Sequence, residues 1–270
     1  MARNAISLRG EGVPRVVFFG FASCFGCQLQ ITNKEAYLLD VLGQIELGYW
    51  QLVSNEPLPQ EFDVAIIEGA VTTTEARELL TEIRARAKAV ICIGSCALTG
   101  GIPGMAAQET KKHAAQVYGK KLPAACGKVI APSSVANYID VDFEVPCCPV
   151  DFYTFVDVLQ RALYGSNKTI PTTTMCGACK INGTQCLYEQ GQICLGLVTQ
   201  TGCDARCPQL GRACNGCAGL SPDCNLESAY EVVESYGASV EVFKQRLRIF
   251  NAVALDEQAA LDEQAKAAEV

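Results

Sequence analysis

Eight cysteines crowd one stretch of the chain, at Cys176, Cys179, Cys186, Cys194, Cys203, Cys207, Cys214 and Cys217. Glycines and polar residues separate them, with few large apolar side chains. Such a segment buries too little apolar surface to offset its own ordering entropy. Cross-links must therefore hold it, and three kinds are available. Disulfides belong to oxidising compartments. The N-terminal run MARNAISLRGEGVPR has neither the apolar centre of a secretory signal nor a twin arginine, which turns the reading away from them. Zinc suits the pairs Cys176-x2-Cys179 and Cys214-x2-Cys217, and eight thiolates suffice for two closed sites. Iron–sulfur clusters use the same ligand. Spacing alone puts clusters ahead of zinc and leaves both open.

The rest of the chain narrows the choice. Its 270 residues suit one or two domains, and 49% of them are hydrophobic, enough for a real core. The net charge is −7 and no basic patch stands out, which argues against a nucleic-acid partner. No apolar run reaches membrane-spanning length. Sixteen cysteines without an export signal point to a reducing cytoplasm and to metal.

Read in order, Val16 to Phe21 is a buried strand that ends in Ala22-Ser23-Cys24-Phe25-Gly26-Cys27. A helix is expected from there to about Val41, and a second apolar segment covers Tyr49 to Val53. Val64 to Ile67 is a third strand, running into Glu68-Gly69. Thr73 or Thr74 caps a helix that reaches about Ala87. Ala89 to Ile93 is a fourth strand, ending in Gly94-Ser95-Cys96 and Gly100-Gly101. Another helix follows, then Phe143 to Pro146, Cys147-Cys148-Pro149 and a helix from Val150 to Tyr164.

Strands alternating with helices predict an α/β fold with a doubly wound parallel sheet. Continuous apolar strands predict that both faces are covered. Ligands of such sheets sit beyond the carboxyl ends of the strands. Cys24 and Cys27 follow the first strand, Cys96 the fourth and Cys148 the last, so four thiolates can meet at one edge. That number fits one 4Fe-4S cluster. Gly94, Gly100 and Gly101 are expected to admit a bulky ligand. Cys92 lies within a strand and reads as a small buried hydrophobe. Cys126 and Cys224 carry no assigned role.

These residues resemble a known family. Cys24-Phe25-Gly26-Cys27, Glu68-Gly69, Gly94-Ser95-Cys96 with Gly100-Gly101, and Cys148-Pro149 resemble the proximal-cluster frame of nickel–iron hydrogenase small subunits, much of which is shared by the cluster subunit of respiratory complex I. Cys186-Leu187-Tyr188-Glu189-Gln190-Gly191, Cys194-Leu195-Gly196, Val198-Thr199 and Cys214-Asn215-Gly216-Cys217 resemble the further cluster motifs of the hydrogenases, an extension that the complex I subunit lacks. The likeness spans roughly residues 14 to 220.

The resemblance implies a flavodoxin-like domain over 1–165 with a proximal 4Fe-4S cluster on Cys24, Cys27, Cys96 and Cys148. It prefers Cys148 to the adjacent Cys147. It implies a cysteine-rich, mostly irregular or helical domain over 166–225. There a distal cluster would use Cys176, Cys179, Cys186 and Cys194, and a medial one Cys203, Cys207, Cys214 and Cys217. A helical tail fills 226–270. Membrane-associated uptake hydrogenases have histidine at the place of Cys176 and proline at that of Cys207. Cysteine at both predicts three four-iron clusters and resembles the cytoplasmic hydrogenases, among them methyl-viologen-reducing, sulfhydrogenase-type and bidirectional NAD(P)-linked kinds. Where the family often has Gly-Cys-Pro-Pro, this chain has Cys147-Cys148-Pro149-Val150.

The implied function is electron transfer. A partner large subunit would hold the nickel–iron site, and a further iron–sulfur or flavin/NAD(P)-binding subunit would exchange electrons with this chain. Glu68 is a candidate for a proton path, or equally a loop carboxylate that binds backbone amides. His113, the single histidine, reads as a solvated surface residue. Residues 254–265 repeat Ala-Leu-Asp-Glu-Gln-Ala, a period too short for a coiled coil. No dinucleotide or Walker motif is present. Two other readings remain: an electron-transfer subunit of a complex-I-like assembly without hydrogenase activity, and a zinc-stabilised interaction protein.

Overall fold

The apolar runs form their strands. The computed structural model describes residues 12–119, 127–165 and 172–268. Its strands are β1 Arg15–Gly20, β2 Glu46–Trp50, β3 Phe62–Glu68, β4 Val71–Thr73, β5 Ala87–Ile93, β6 Val129–Ser133 and β7 Phe143–Val145. Five of them make a parallel sheet in the order β2-β1-β3-β5-β7. Leaving out β4 and β6, this is the flavodoxin-type order. The register sets Val16 beside Val64, Ala65 beside Val90 and Ile91 beside Phe143. The β4–β6 pair is a separate antiparallel ribbon that the sequence reading lacks; both strands are short and lie where turn and cap residues dominate.

The helices are α1 Gly26–Thr32, α2 Glu35–Leu42, α3 Thr74–Arg86, α4 Gly94–Thr99, α5 Gly101–Gly104, α6 Thr110–Tyr118, α7 Phe152–Tyr164, α8 Met175–Ile181, α9 Arg206–Gln209, α10 Leu226–Ser235 and α11 Val240–Ala268. The helix expected up to Val41 is two, because the chain caps α1 at Asn33 and restarts at Lys34 in a non-helical conformation. The second strand ends at Trp50 and not Val53. Val53 and Ser54 both donate to the Trp50 carbonyl, at 3.0 and 2.9 Å, and turn the chain away. Thr73 caps α3, its hydroxyl accepting from the Ala76 N–H at 3.1 Å. Asp151 caps α7 in the same way, and Gly165 ends it in the left-handed region.

Alternating strand residues feed two apolar layers. Val16, Phe18, Val64, Ile66, Ile91 and Ile93 pack with Phe152, Phe155, Val158 and Leu159 of α7. Val17, Phe19, Ala65, Ile67, Val90 and Cys92 pack with Leu80 and Ile83 of α3 and Ala97 of α4. Each fully buried large side chain contributes about 1.5–3 kcal/mol. Cys92 sits inside that second layer, as a small apolar residue would.

From residue 172 to residue 225 the chain is short helical turns and loops. A third apolar group joins Tyr188, Leu195 and Val198 to Ala229 and Val233 of α10 and Phe243 and Leu247 of α11, with Cys224 against it. A break at Tyr236-Gly237 separates α10 from α11. Helix α11 kinks at Asn251 and continues through the Ala-Leu-Asp-Glu-Gln repeat. Among the described residues no helix is long and apolar enough to cross a membrane. Cys126 lies outside the described residues.

Candidate metal centres

Three groups of thiols stand beyond the carboxyl ends of the strands and in the segment that follows. All described cysteines are free.

The first group is built on β1, β5 and β7. After β1 the backbone turns through Phe25 at φ 59°, leaving Cys24 exposed and burying Cys27 in the first turn of α1. Cys96 lies in α4, directly after β5, and Cys148 follows β7. The Ser95 N–H donates to the Cys147 carbonyl at 3.1 Å, which ties the β5 and β7 loops together. A Cβ on Gly94 would overlap the Cys27 sulfur, and one on Gly101 would come within 2.8 Å of the Cys96 backbone. Both glycines bring thiols close. A Cβ on Gly100 would meet Val253 of α11, so this glycine lets that helix approach.

Electrostatically the first group acts as one set. Burial pushes the Cys27 thiol far up, helped by the charge of Glu68 and then by Cys148 and Cys96. Burial, with the charges of Cys217, Cys96, Cys24 and Glu68, pushes Cys148 up to about 12. Cys96 is raised by burial and by Cys24 and Glu68. Glu68, 2% exposed, accepts the N–H groups of Cys27 and Gln28, each at 3.2 Å. It therefore does what a loop carboxylate binding backbone amides does, beside the thiols. Gln28 in turn accepts the Trp50 indole N–H at 2.7 Å.

The second group lies around α8. Cys176 and Cys179 are on that helix, and Cys186 and Cys194 each precede a short 3₁₀ turn. Burial and the nearby Cys194, Cys179 and Cys186 push Cys176 up to about 11, against the pull of Lys180. Tyr188 donates its hydroxyl to the Cys194 carbonyl at 2.8 Å and so fixes that loop.

The third group surrounds a cavity. Cys203, Cys207, Cys214 and Cys217 all line one space of about 90 Å³, with Met175, Thr199, Pro208 and Phe250. Cys148 of the first group also borders it. On the other side, the Cys214 N–H donates to the Cys194 sulfur of the second group at 3.3 Å. The third group thus stands between the other two. The neighbouring Cys147 holds the Cys203 thiol below its ordinary value, against burial, with backbone N–H groups of Arg206 and Ala205 helping. The Cys203 thiol lies 4.0 Å from the Met175 sulfur, on the same cavity wall. The sequence does not mark Asn251, whose amide donates to the Gly216 carbonyl at 3.1 Å beside this group.

The donor set suits clusters. A zinc site needs four ligands converging within about 2.3 Å of one point. Among the described residues no three His, Cys, Asp or Glu side chains converge in that way. A cubane instead spreads its thiolates over separate irons, and the four cysteines of the third group, facing a shared space, meet that need. His113 stands apart, on α6 near Glu109 at the surface.

Known proteins are similar to this chain. Residues 24–162, just over half the chain, match the family described as NADH ubiquinone oxidoreductase, 20 Kd subunit. The chain is 32% identical to sulfhydrogenase 2 subunit delta of Pyrococcus furiosus, over 86% of this chain and 97% of that one. It is 28% identical to a subunit of the F420-non-reducing hydrogenase vhu of Methanocaldococcus jannaschii, over 84% and 90%. A chain of the NAD+-reducing [NiFe]-hydrogenase in the H2-reduced state shares its fold, with a TM-score of 0.51 and 23% identity over 57% of this chain and 95% of that one. The chain belongs to the NADH ubiquinone oxidoreductase 20 Kd subunit family, and within it to the small subunits of nickel–iron hydrogenases.

Proposed function

We propose that this chain relays electrons between the nickel–iron site of a partner large subunit and an acceptor subunit, through three 4Fe-4S clusters. The proximal cluster would be held by Cys24, Cys27, Cys96 and Cys148. The medial one would be held by Cys203, Cys207, Cys214 and Cys217, and the distal one by Cys176, Cys179, Cys186 and Cys194. When bound, such clusters accept and release single electrons at potentials tuned by charge and by hydrogen bonds to sulfur. The observation that carries the reading is the continuity of the thiols. Cys148 borders the cavity of the third group, and the Cys214 N–H reaches Cys194 of the second. Proximal, medial and distal sets therefore follow one another in space although not in sequence.

The chain's own residues prepare that path. Gly94 and Gly101 let Cys27 and Cys96 approach the first site. Glu68 fixes the α1 start by accepting two N–H groups, and the same carboxylate, beside the proximal set, is the candidate for passing a proton. The proximal edge faces the large subunit, and the Cys176–Cys194 end faces a partner that carries a further iron–sulfur, flavin or NAD(P) site. We place the complex in the cytoplasm.

The family's own description favours a second reading: an electron-transfer subunit of a complex-I-like assembly without hydrogenase activity. Metal analysis of the anaerobically purified complex separates the two. About 12 iron and about 12 labile sulfide per copy of this chain, after subtracting partners, with nickel on a copurified subunit, is the expected result. Zinc without sulfide would overturn the electron-transfer role. Iron and sulfide without nickel in the matured complex would favour the second reading.

A further inference from the structure

Two of the cysteines that line the cavity of the third group belong to the loop Cys214-Asn215-Gly216-Cys217. The middle of that loop is held from two sides. The Gly216 N–H donates to the Cys214 sulfur at 3.5 Å. The Gly216 carbonyl accepts the Asn251 side-chain amide at 3.1 Å. The next carbonyl, that of Cys217, accepts the Ser95 hydroxyl of α4. Gly216 sits at φ 80°, and a Cβ there would stand 3.1 Å from the Asn251 amide nitrogen. Glycine therefore serves both the turn and the close approach of the amide.

Asn251 is a costly residue where it stands. It is 0% exposed, and its backbone leaves the helical region at φ −123°, ψ 18°, where α11 kinks. Its amide nitrogen also donates to the Leu247 carbonyl at 3.2 Å. Its amide oxygen finds no hydrogen-bond partner among the described residues. A buried amide with one half unpaired is worse for stability than an apolar side chain of like size. Packing alone would favour leucine here. The half that is paired reaches the cysteine loop.

We propose that Asn251 is a positioning residue that sets the potential of the medial cluster: by fixing the Gly216 carbonyl, it keeps the Gly216 N–H on the Cys214 sulfur. This rests on the reading that Cys203, Cys207, Cys214 and Cys217 hold a cluster. A hydrogen bond to ligand sulfur draws charge from a cluster and favours its reduced form. The tie to the second group is held separately. The Cys214 N–H reaches the Cys194 sulfur, and the Cys214 carbonyl accepts the Leu195 N–H at 3.0 Å. Asn251 therefore raises the potential of the central relay and leaves the outer two as they are.

The test uses the intact complex purified anaerobically, with Asn251→Leu and Asn251→Gln. Leucine keeps the bulk and removes the donor; glutamine keeps an amide. Iron and sulfide analysis is combined with redox titration followed by electron paramagnetic resonance. In Asn251→Leu the expected result is unchanged iron and sulfide, one cluster moved to lower potential and two unmoved. Asn251→Gln recovers part of the shift. Potentials unmoved in both variants would overturn the inference by making Asn251 a packing residue, and equal shifts of all three clusters would overturn it as well. Iron lost from both variants would overturn it by making Asn251 a requirement for assembly. If the leucine variant alone loses iron, glutamine decides: one lowered potential upholds the inference and none overturns it. A wild-type complex lacking iron and sulfide would sink the cluster reading itself, and that outcome is visible before any variant is made.

Discussion

The sheet domain and the cysteine-rich segment solve the same problem by different means. Sheet strands place Val16, Ile66 and Ile91 on one face and Val17, Ile67 and Val90 on the other, and each face finds a helix to cover it. Residues 172–224 have no such supply. One of their apolar groups is Met175, Ala205 and Cys214, with Ala178, Cys179, Cys194 and Cys203 against it. The other is completed by α10 and α11. The first region is held by water-avoiding side chains. The second depends on its sulfurs and on helices from elsewhere in the chain. Stability in the two regions should therefore answer to different insults.

Removing iron gives the largest expected difference. Treating the anaerobic protein with a chelator should strip hydrogen-exchange protection from residues 172–224, while β1, β3 and β5 keep theirs. Equal loss in both regions would break the comparison. Phe155→Ala attacks the other side. Phe155 is buried between α7 and the sheet, and its removal should cost about 3–5 kcal/mol in urea unfolding while the iron content stays the same. Asn251→Ala tests the link between the regions. It deletes donors to the Gly216 and Leu247 carbonyls, at 3.1 and 3.2 Å. A loss of about 1–3 kcal/mol is expected, with exchange rising around Gly216 before it rises in the sheet.

The smallest effect belongs to the rim of the sheet. Asp63 and Lys88 pair at 2.6 Å. Burial alone would raise the Asp63 carboxyl, but Lys88 and the Arg15 N–H hold it below its ordinary value. Its stabilisation is therefore full above the usual carboxylate range and lost as pH falls through the lowered value. Lys88 is largely exposed, so Lys88→Ala should cost no more than about 1 kcal/mol near neutral pH. Urea titrations of the two proteins should converge in acid. A difference that persists there would show that the ion pair is not its source.

How much of this is legible in the sequence depends on which force is at work. The apolar runs announce β1, β3 and β5 because both faces of a parallel sheet must be dry. The helix caps at Thr73 and Asp151 follow local chemistry, and the sequence places the first of them within one residue. The cysteine groups are visible as spacing and as loops at strand ends. Contacts made across long separations are not. Gly100 reads as a ligand-approach glycine and is a seat for Val253. Cys147 is passed over for Cys148, and nothing local shows that its carbonyl takes the Ser95 N–H, 52 positions earlier, to tie two loops together. Nothing local marks Asn251 as the residue that reaches Gly216, since its partner lies 35 positions earlier.

Helix α4 carries Cys96, and its two hydroxyls reach far along the chain. Ser95 donates to the carbonyl of Cys217, and Thr99 to the carbonyl of Phe250, 122 and 151 positions later. Synthesis proceeds from the N-terminus, and domains fold as they emerge. The sheet and the shelf that bears Cys96 therefore exist well before the segments that cover them. Both hydroxyls find their partners only after residues 217 and 250 have been made, so the shelf under Cys96 is finished by chain that is more than a hundred positions away.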